Sequence, residues 1–220
     1  MTSSVPYRVR RSDRARRVRV SVDAHSGVEV VLPRTSPQSA AAAAVVELRP
    51  WIERRLAEAR EVQAAIAARG AAVPYLGTNL TLRAEPGRTR AHRRGDTLLV
   101  PAEPEGAAPA IERWYRRMAR REIGPRLDLA AGALQAEYTS LTIRNQRTRW
   151  GSCSSGGAMS FNWRLLLAPE PVLDYVVWHE ACHLRVMDHS PRFWSVLAEH
   201  CPGYDVHRRW LRSQGNTLVL

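Results

Sequence analysis

Three observations predict an α+β fold for this chain of 220 residues. Apolar residues alternate over 18–22 and 28–32, and again over 158–163, with turn-forming residues between the runs, as half-buried strands in hairpins require. Over 111–136 and 173–187 they recur instead at intervals of three and four, the period of amphipathic helices. The second of these helices carries His179-Glu180-Ala181-Cys182-His183, so a helix with ligand-type side chains follows directly on a small antiparallel sheet.

Taken in order, residues 1–20 hold seven arginines and no apolar run of signal-peptide length. The first two strands close around a His25-Ser26-Gly27 turn. Ser36 and Pro37 then open a helix through the alanine run, interrupted near Pro50 and resumed from Trp51 to Arg69. Strands are expected over 79–84 and 97–100, joined by a basic turn containing Pro86-Gly87 and Gly95. The Pro, Ala and Glu residues of 101–109 read as a short linker. It separates a strand and helix region, 1–105, from a second region, 106–220, unless the two form one continuous domain.

The second region opens with the long helix over 111–136, its arginines opposite Trp114, Met118, Ile123 and Leu127. A strand over 140–144 and a hairpin of 149–153 with 158–163 follow, turning at Ser155-Gly156-Gly157. In that hairpin Met159, Phe161 and Trp163 point one way while Ser160 and Asn162 point the other. Pro169 and Pro171 suit the first turn of the helix that bears the motif, and Ser190-Pro191 opens another with Phe193, Val196, Leu197 and His200. Pro202-Gly203 ends it, and Asp205 is placed to cap a last helix with Val206, Trp210 and Leu211 inward.

Two histidines four apart on a helix project from one face about a turn apart, so the imidazoles of His179 and His183 converge on one metal ion while Glu180 stands beside it. On the helical wheel Glu180 falls inside the apolar stripe, between Val176 and Leu184, where a structural helix has an aliphatic residue. A buried carboxylate is costly without compensation, and a metal-bound water is a natural partner. A catalytic zinc keeps three protein ligands and leaves its fourth position to water. His189, at the junction before the next helix, is the third candidate ligand, and Glu199 and His200 are the fallbacks, about three turns into that helix. Tyr204 is a candidate donor to a tetrahedral intermediate.

The formal net charge is +12, and all 33 basic residues are arginine. They cluster over 8–19, 83–94, 113–126 and 144–149, the footprint of a protein that meets nucleic acid or another polyanion. Arg113, Arg116, Arg117 and Arg120 are the candidates for that contact; the alternative is a solvated basic face. No stretch of some 18 apolar residues runs uninterrupted, which removes a membrane-spanning helix. Cys153, Cys182 and Cys201 form an odd, scattered set, which argues against a disulfide framework and a cysteine zinc finger and leaves the cytoplasm as the expected location.

The run Arg149-Trp150-Gly151-Ser152-Cys153, with Asn162-Trp163-Arg164-Leu165, Asp174-Tyr175-Val176-Val177-Trp178-His179-Glu180 and Asp188-His189-Ser190-Pro191-Arg192-Phe193-Trp194, resembles the YgjP-like zinc metallopeptidases, relatives of the SprT-like and WLM proteases. Trp51-Ile52, Tyr75-Leu76-Gly77 and Trp114-Tyr115 extend the resemblance over most of the chain. It implies a zincin-like catalytic half, Zn2+ on His179, His183 and His189, Glu180 as the general base, and a protein or peptide substrate. The spacing from His183 to His189 is that of the metzincins, although Val186 stands where their turn glycine would be. By the same resemblance the strand just before the motif helix offers an edge for an extended peptide, with Trp150 and Asn162 near it. Two other readings compete with a peptidase: a zinc hydrolase of a phosphoanhydride, which the arginines suit, and a nucleic-acid-associated protein whose zinc is structural.

Overall fold

The computed structural model describes residues 5–23, 27–146 and 148–220. They form an α+β protein whose contacts divide it into two compact units, Met1–Ala68 and Arg69–Leu220. In the first unit, strands β1 (Tyr7–Ser12), β2 (Arg19–Asp23) and β3 (Gly27–Pro33) form a sheet of order β1-β3-β2. The expected hairpin is β2 with β3, antiparallel; its turn residues His25 and Ser26 lie outside the described residues. β1 was not resolved as a separate strand by periodicity, and it pairs parallel to β3 on the far side. Alternate residues Val28, Val30 and Leu32 of β3 are buried against Ala41, Val45 and Ile52 of helices α1 (Ser39–Glu47) and α2 (Arg49–Arg69). The helix break falls at Leu48, because a helix continued through Pro50 would drive the ring into the carbonyl of Val46, whereas the second position of a new helix needs no N–H.

The second unit is built around α3 (Pro104–Ala133), which follows strands β4 (Ala72–Tyr75), β5 (Thr78–Glu85), β6 (His92–Arg94) and β7 (Thr97–Pro101). β5 and β7 are the two strands expected here, but they lie parallel inside the order β4-β5-β7-β6. The linker expected over 101–109 is instead the end of β7 and the first turns of α3. Pro104 stands where a missing N–H costs nothing, and Pro109 faces solvent, where water can take the carbonyl it frees. The contacts divide the chain between Ala68 and Arg69.

Along α3 the residues Ile111, Trp114, Tyr115, Ala119, Ile123 and Leu127 recur at helical spacing and are buried in the core of this unit. The same core takes Met159 and Phe161 from the second sheet, formed by β8 (Ser140–Arg144), β9 (Gly151–Cys153) and β10 (Ala158–Asn162), and Trp163 from the turn that follows it. That sheet is mixed rather than antiparallel throughout. β10 is central, antiparallel to β9 and parallel to β8, because two reversals of the chain separate β8 from β10. Ser160 and Asn162 are also buried, so both faces of β10 are covered. A 3₁₀ turn, Trp163–Leu167, then leads into α4 (Glu170–Cys182), followed by α5 (Pro191–His200) and α6 (Tyr204–Gln214). α6 starts from Gly203 at φ 77°, without a side-chain cap from Asp205, and Val206 is exposed rather than inward. No helix among the described residues is long and apolar enough to cross a membrane.

Because Ile123 is fully buried at the centre of α3, Ile123→Ala should lower stability by about 2–5 kcal/mol in urea unfolding. A loss below about 1 kcal/mol would show that α3 does not carry this core.

Candidate active site

Helix α4 supplies two of the three histidines and ends as it does so. Val172, Leu173, Val176 and Val177 fix its buried face. His183 is its C-cap rather than an interior residue, so Leu184 and Met187 lie beyond the helix. The chain leaves through tight turns, with the N–H of Leu184 bonded to the Ala181 carbonyl and that of Arg185 to Cys182. This reversal brings His189 back to the end of α4. Trp194 on the first turn of α5 donates its indole N–H to the His189 carbonyl at 3.0 Å and stacks on the His189 ring, with centroids 5.5 Å apart. Fully buried Phe193 stacks on His183 at 4.6 Å. Two adjacent aromatics of α5 therefore orient the rings presented by α4 and by the turn.

The candidate ligand atoms of His179, His183 and His189 all lie within 4.8 Å of one another, and they form the metal-type cluster found among the described residues. His179 Nε2 and His189 Nε2 are 3.0 Å apart. Two nitrogens held by one tetrahedral cation at 2.0–2.1 Å would be separated by about 3.3 Å, so the rings are already close to that arrangement. The Nδ1 of His183 is 3.0 Å from the Val186 carbonyl, which can only accept. The ring proton sits there, and Nε2 is left with a lone pair for a metal. Burial, then His183 and His189, brings the His179 imidazole down to about 3, and burial also lowers His183. Both rings are neutral near pH 7, as a ligand must be. The three imidazoles fit a divalent cation.

Glu180 is 7% exposed. Burial pushes its carboxyl up to about 7, against the opposite effects of the Cys153 N–H, which donates to it, and the Arg149 guanidinium. The carboxylate lies directly under Gly151 of β9: a Cβ there would be 2.5 Å from Glu180 Cγ. Only glycine lets strand and carboxylate approach this closely.

The structure separates the remaining candidates. Glu199 is exposed and His200 stacks on Trp178 at 5.0 Å; neither joins the histidine cluster. Tyr204 stacks on the far side of the wall, against Trp194 at 5.5 Å. Trp150 and Asn162 are adjacent, with the Asn162 N–H bonded to the Trp150 carbonyl at 2.8 Å. Arg113, Arg116, Arg117 and Arg120 are on α3 rather than among the histidines. Arg116 pairs with Glu112 at 2.7 Å, Arg117 reaches the Ala91 carbonyl at 3.5 Å and Arg120 that of Leu141 at 2.9 Å. Two residues were missed by sequence reasoning. Gly151 stood in a noted run but without a role. Arg208, one helical turn after Tyr204, lies over the Trp194 ring at 4.6 Å, beside Asp205 at 3.6 Å, and its charge helps to lower His179. The periodicity of α6 was the available signal for it.

Three converging imidazoles beside the buried carboxylate of Glu180 define a metal-dependent hydrolase. The family described as "YgjP-like, metallopeptidase domain" matches residues 16–214. The chain belongs to this family and is a metallopeptidase that uses a divalent metal. Among solved structures it is similar to the metallopeptidase zymogen of Pyrococcus abyssi abylysin, at 21% identity and a TM-score of 0.38 over 42% of this chain and 95% of that one. No curated protein matches it.

Because Gly151 sets the position of Glu180, Gly151→Ala should displace the carboxylate while leaving the histidines intact. The expected outcome is unchanged metal content with at least a roughly tenfold loss of peptidase kcat, since a small misplacement of a catalytic group is expensive. Unchanged kcat would show that Glu180 is free to move without consequence.

Proposed function

We propose that this chain is a zinc endopeptidase in which Glu180 is the general base and His179, His183 and His189 hold the metal. The observation that carries the reading is the buried Glu180 carboxylate, placed between the histidine cluster and strand β9. Three imidazoles suit zinc in a site that keeps a position open. When bound, the cation would lower the pKa of a coordinated water and polarise the scissile carbonyl. The Glu180 carboxylate accepts the proton of the attacking water and delivers it to the departing amine. A carboxyl raised by burial to about 7 is suited to both transfers.

Substrate alignment falls to β9. β10, the strand nearest before α4, is internal, so the free edge belongs to its hairpin partner. The N–H of Ser154 bonds Ala158 and that of Asn162 bonds Trp150, which turns the N–H and C=O of Gly151 and the C=O of Cys153 away from β10, while the Cys153 N–H on that edge is taken by Glu180. An extended peptide can pair there by main-chain hydrogen bonds, with its scissile carbonyl beside Glu180. Arg208, fixed by Trp194 and Asp205, supplies positive charge on the side of His179, where the carbonyl oxygen gains charge. Tyr204 acts through this stack rather than as the donor. Free Cys153, Cys182 and Cys201 support a reducing, cytoplasmic setting. The arginines of α3 enter the reading only as a basic face available to a polyanionic carrier of the substrate.

Glu180→Gln preserves shape and cannot accept the proton. It should bind zinc as the wild type does and lose turnover of an unfolded protein substrate by roughly 100-fold or more. Near-normal turnover in zinc-loaded Glu180→Gln would assign the base elsewhere.

A further inference from the structure

A cavity of about 350 Å³ opens at the amino-terminal end of β9 and takes no part in the chemistry above. Its size is at the lower end of the roughly 300–1,000 Å³ typical of small-ligand pockets, enough for a side chain and its neighbouring backbone but not for a folded surface. Gln146, Arg149, Trp150, Asn162, Arg164 and Asn216 are among its walls, and no acidic residue lines it among those described.

The walls are built rather than incidental. Asn162 accepts from the Arg164 backbone N–H at 3.1 Å and donates to the Gln146 carbonyl at 2.7 Å, so its side chain is committed to bracing the cavity. Gly215 packs on the Trp150 indole, where a Cβ would come within 3.0 Å of Cζ2. The Arg164 guanidinium lies over Trp163 at 5.4 Å. That of Arg149 is exposed and makes no hydrogen bond or ion pair among the described residues. Gln146 Oε1 is buried and has no hydrogen-bond partner among the described residues.

The cavity adjoins the reacting centre through the chain itself. Arg149 and Trp150 immediately precede Gly151, under which Glu180 is packed, so Arg149 is about 7 Å along the strand from that point. A peptide paired with the β9 edge and opened at Glu180 extends a neighbouring residue over the cavity mouth. Two guanidinium groups select an oxyacid there, and they bind a carboxylate through paired, charge-assisted hydrogen bonds.

We propose that this cavity is a subsite for a glutamate or aspartate of the substrate close to the cleaved bond, with Arg149 and Arg164 binding the carboxylate. The inference rests on the peptidase reading. A phosphate shares the anion chemistry, and the arms of the test below distinguish it from a peptide carboxylate.

The test uses zinc-loaded full-length protein and paired peptides that differ only by Glu against Gln at each position flanking the scissile bond. At one position the Glu peptide should be cleaved with kcat/KM about tenfold or more above its Gln partner. In Arg149→Glu and Arg164→Glu the preference should pass to a Lys peptide, with zinc content unchanged. Equilibrium binding to zinc-loaded Glu180→Gln, read by calorimetry, should show the same order without turnover. Equal cleavage and equal binding of Glu and Gln peptides overturn the subsite and leave the peptidase reading intact. Preferential binding of the Glu peptide without cleavage of any peptide by the wild type keeps the subsite and removes the peptidase reading. Hydrolysis of a nucleoside triphosphate, with no binding preference between the peptides, overturns both.

Discussion

A carboxylate buried beneath a strand governs this structure. Glu180 is removed from water between α4 and β9, and its compensation comes from the Cys153 N–H, the charge of Arg149 and the space left by Gly151. Isolated ionised carboxylates are not tolerated in apolar surroundings, so burial favours the neutral acid and these groups offset only part of that effect. The fold serves that placement. β9 is held at the sheet edge by β10, β10 packs with the 3₁₀ turn on α3, and α4 is laid against the same core.

The placement of the three histidines depends on a second constraint, the early end of α4. A helix continued through 183–189 would carry His189 away along its axis at about 1.5 Å per residue. The cap at His183, its bond to Val186 and the aromatic pair Phe193 and Trp194 return the chain instead. Trp194 then links three layers, because it stacks on His189, bonds to that residue's carbonyl, and also contacts Tyr204 and Arg208. The site is thus assembled from α4, α5 and α6, joined by connections of eight residues (183–190) and three residues (201–203).

What the sequence made legible follows the range of the interactions. The long amphipathic helix, both hairpins and the start of the motif helix rest on local periodicity and turn chemistry, whereas the apolar repeat through Leu184 and Met187 outlasts the motif helix, which caps at His183. His189 was legible because a capped helix start fixed its position beside the motif. Parallel pairing of β1 with β3, β5 with β7 and β8 with β10 was not, since parallel partners are joined by distant connections that leave no local pattern. The stretch 101–109 misled because Pro and Glu suit both a linker and a first helical turn, and burial of Ala110 and Ile111 decides for the helix. Gly151 and Arg208 matter through residues nearly thirty positions away, Glu180 and His179, so composition around them carries no sign of it.

The central claim, that these imidazoles and no other side chains hold the metal, is tested most directly by X-ray absorption at the zinc edge of the loaded protein. Three nitrogen neighbours from imidazole at about 2.0–2.1 Å with one light oxygen neighbour are expected. A sulfur shell near 2.3 Å would bring Cys153, Cys182 or Cys201 into the ligand set, and fewer than three imidazoles would remove His189 from it; either result contradicts the site described for this chain.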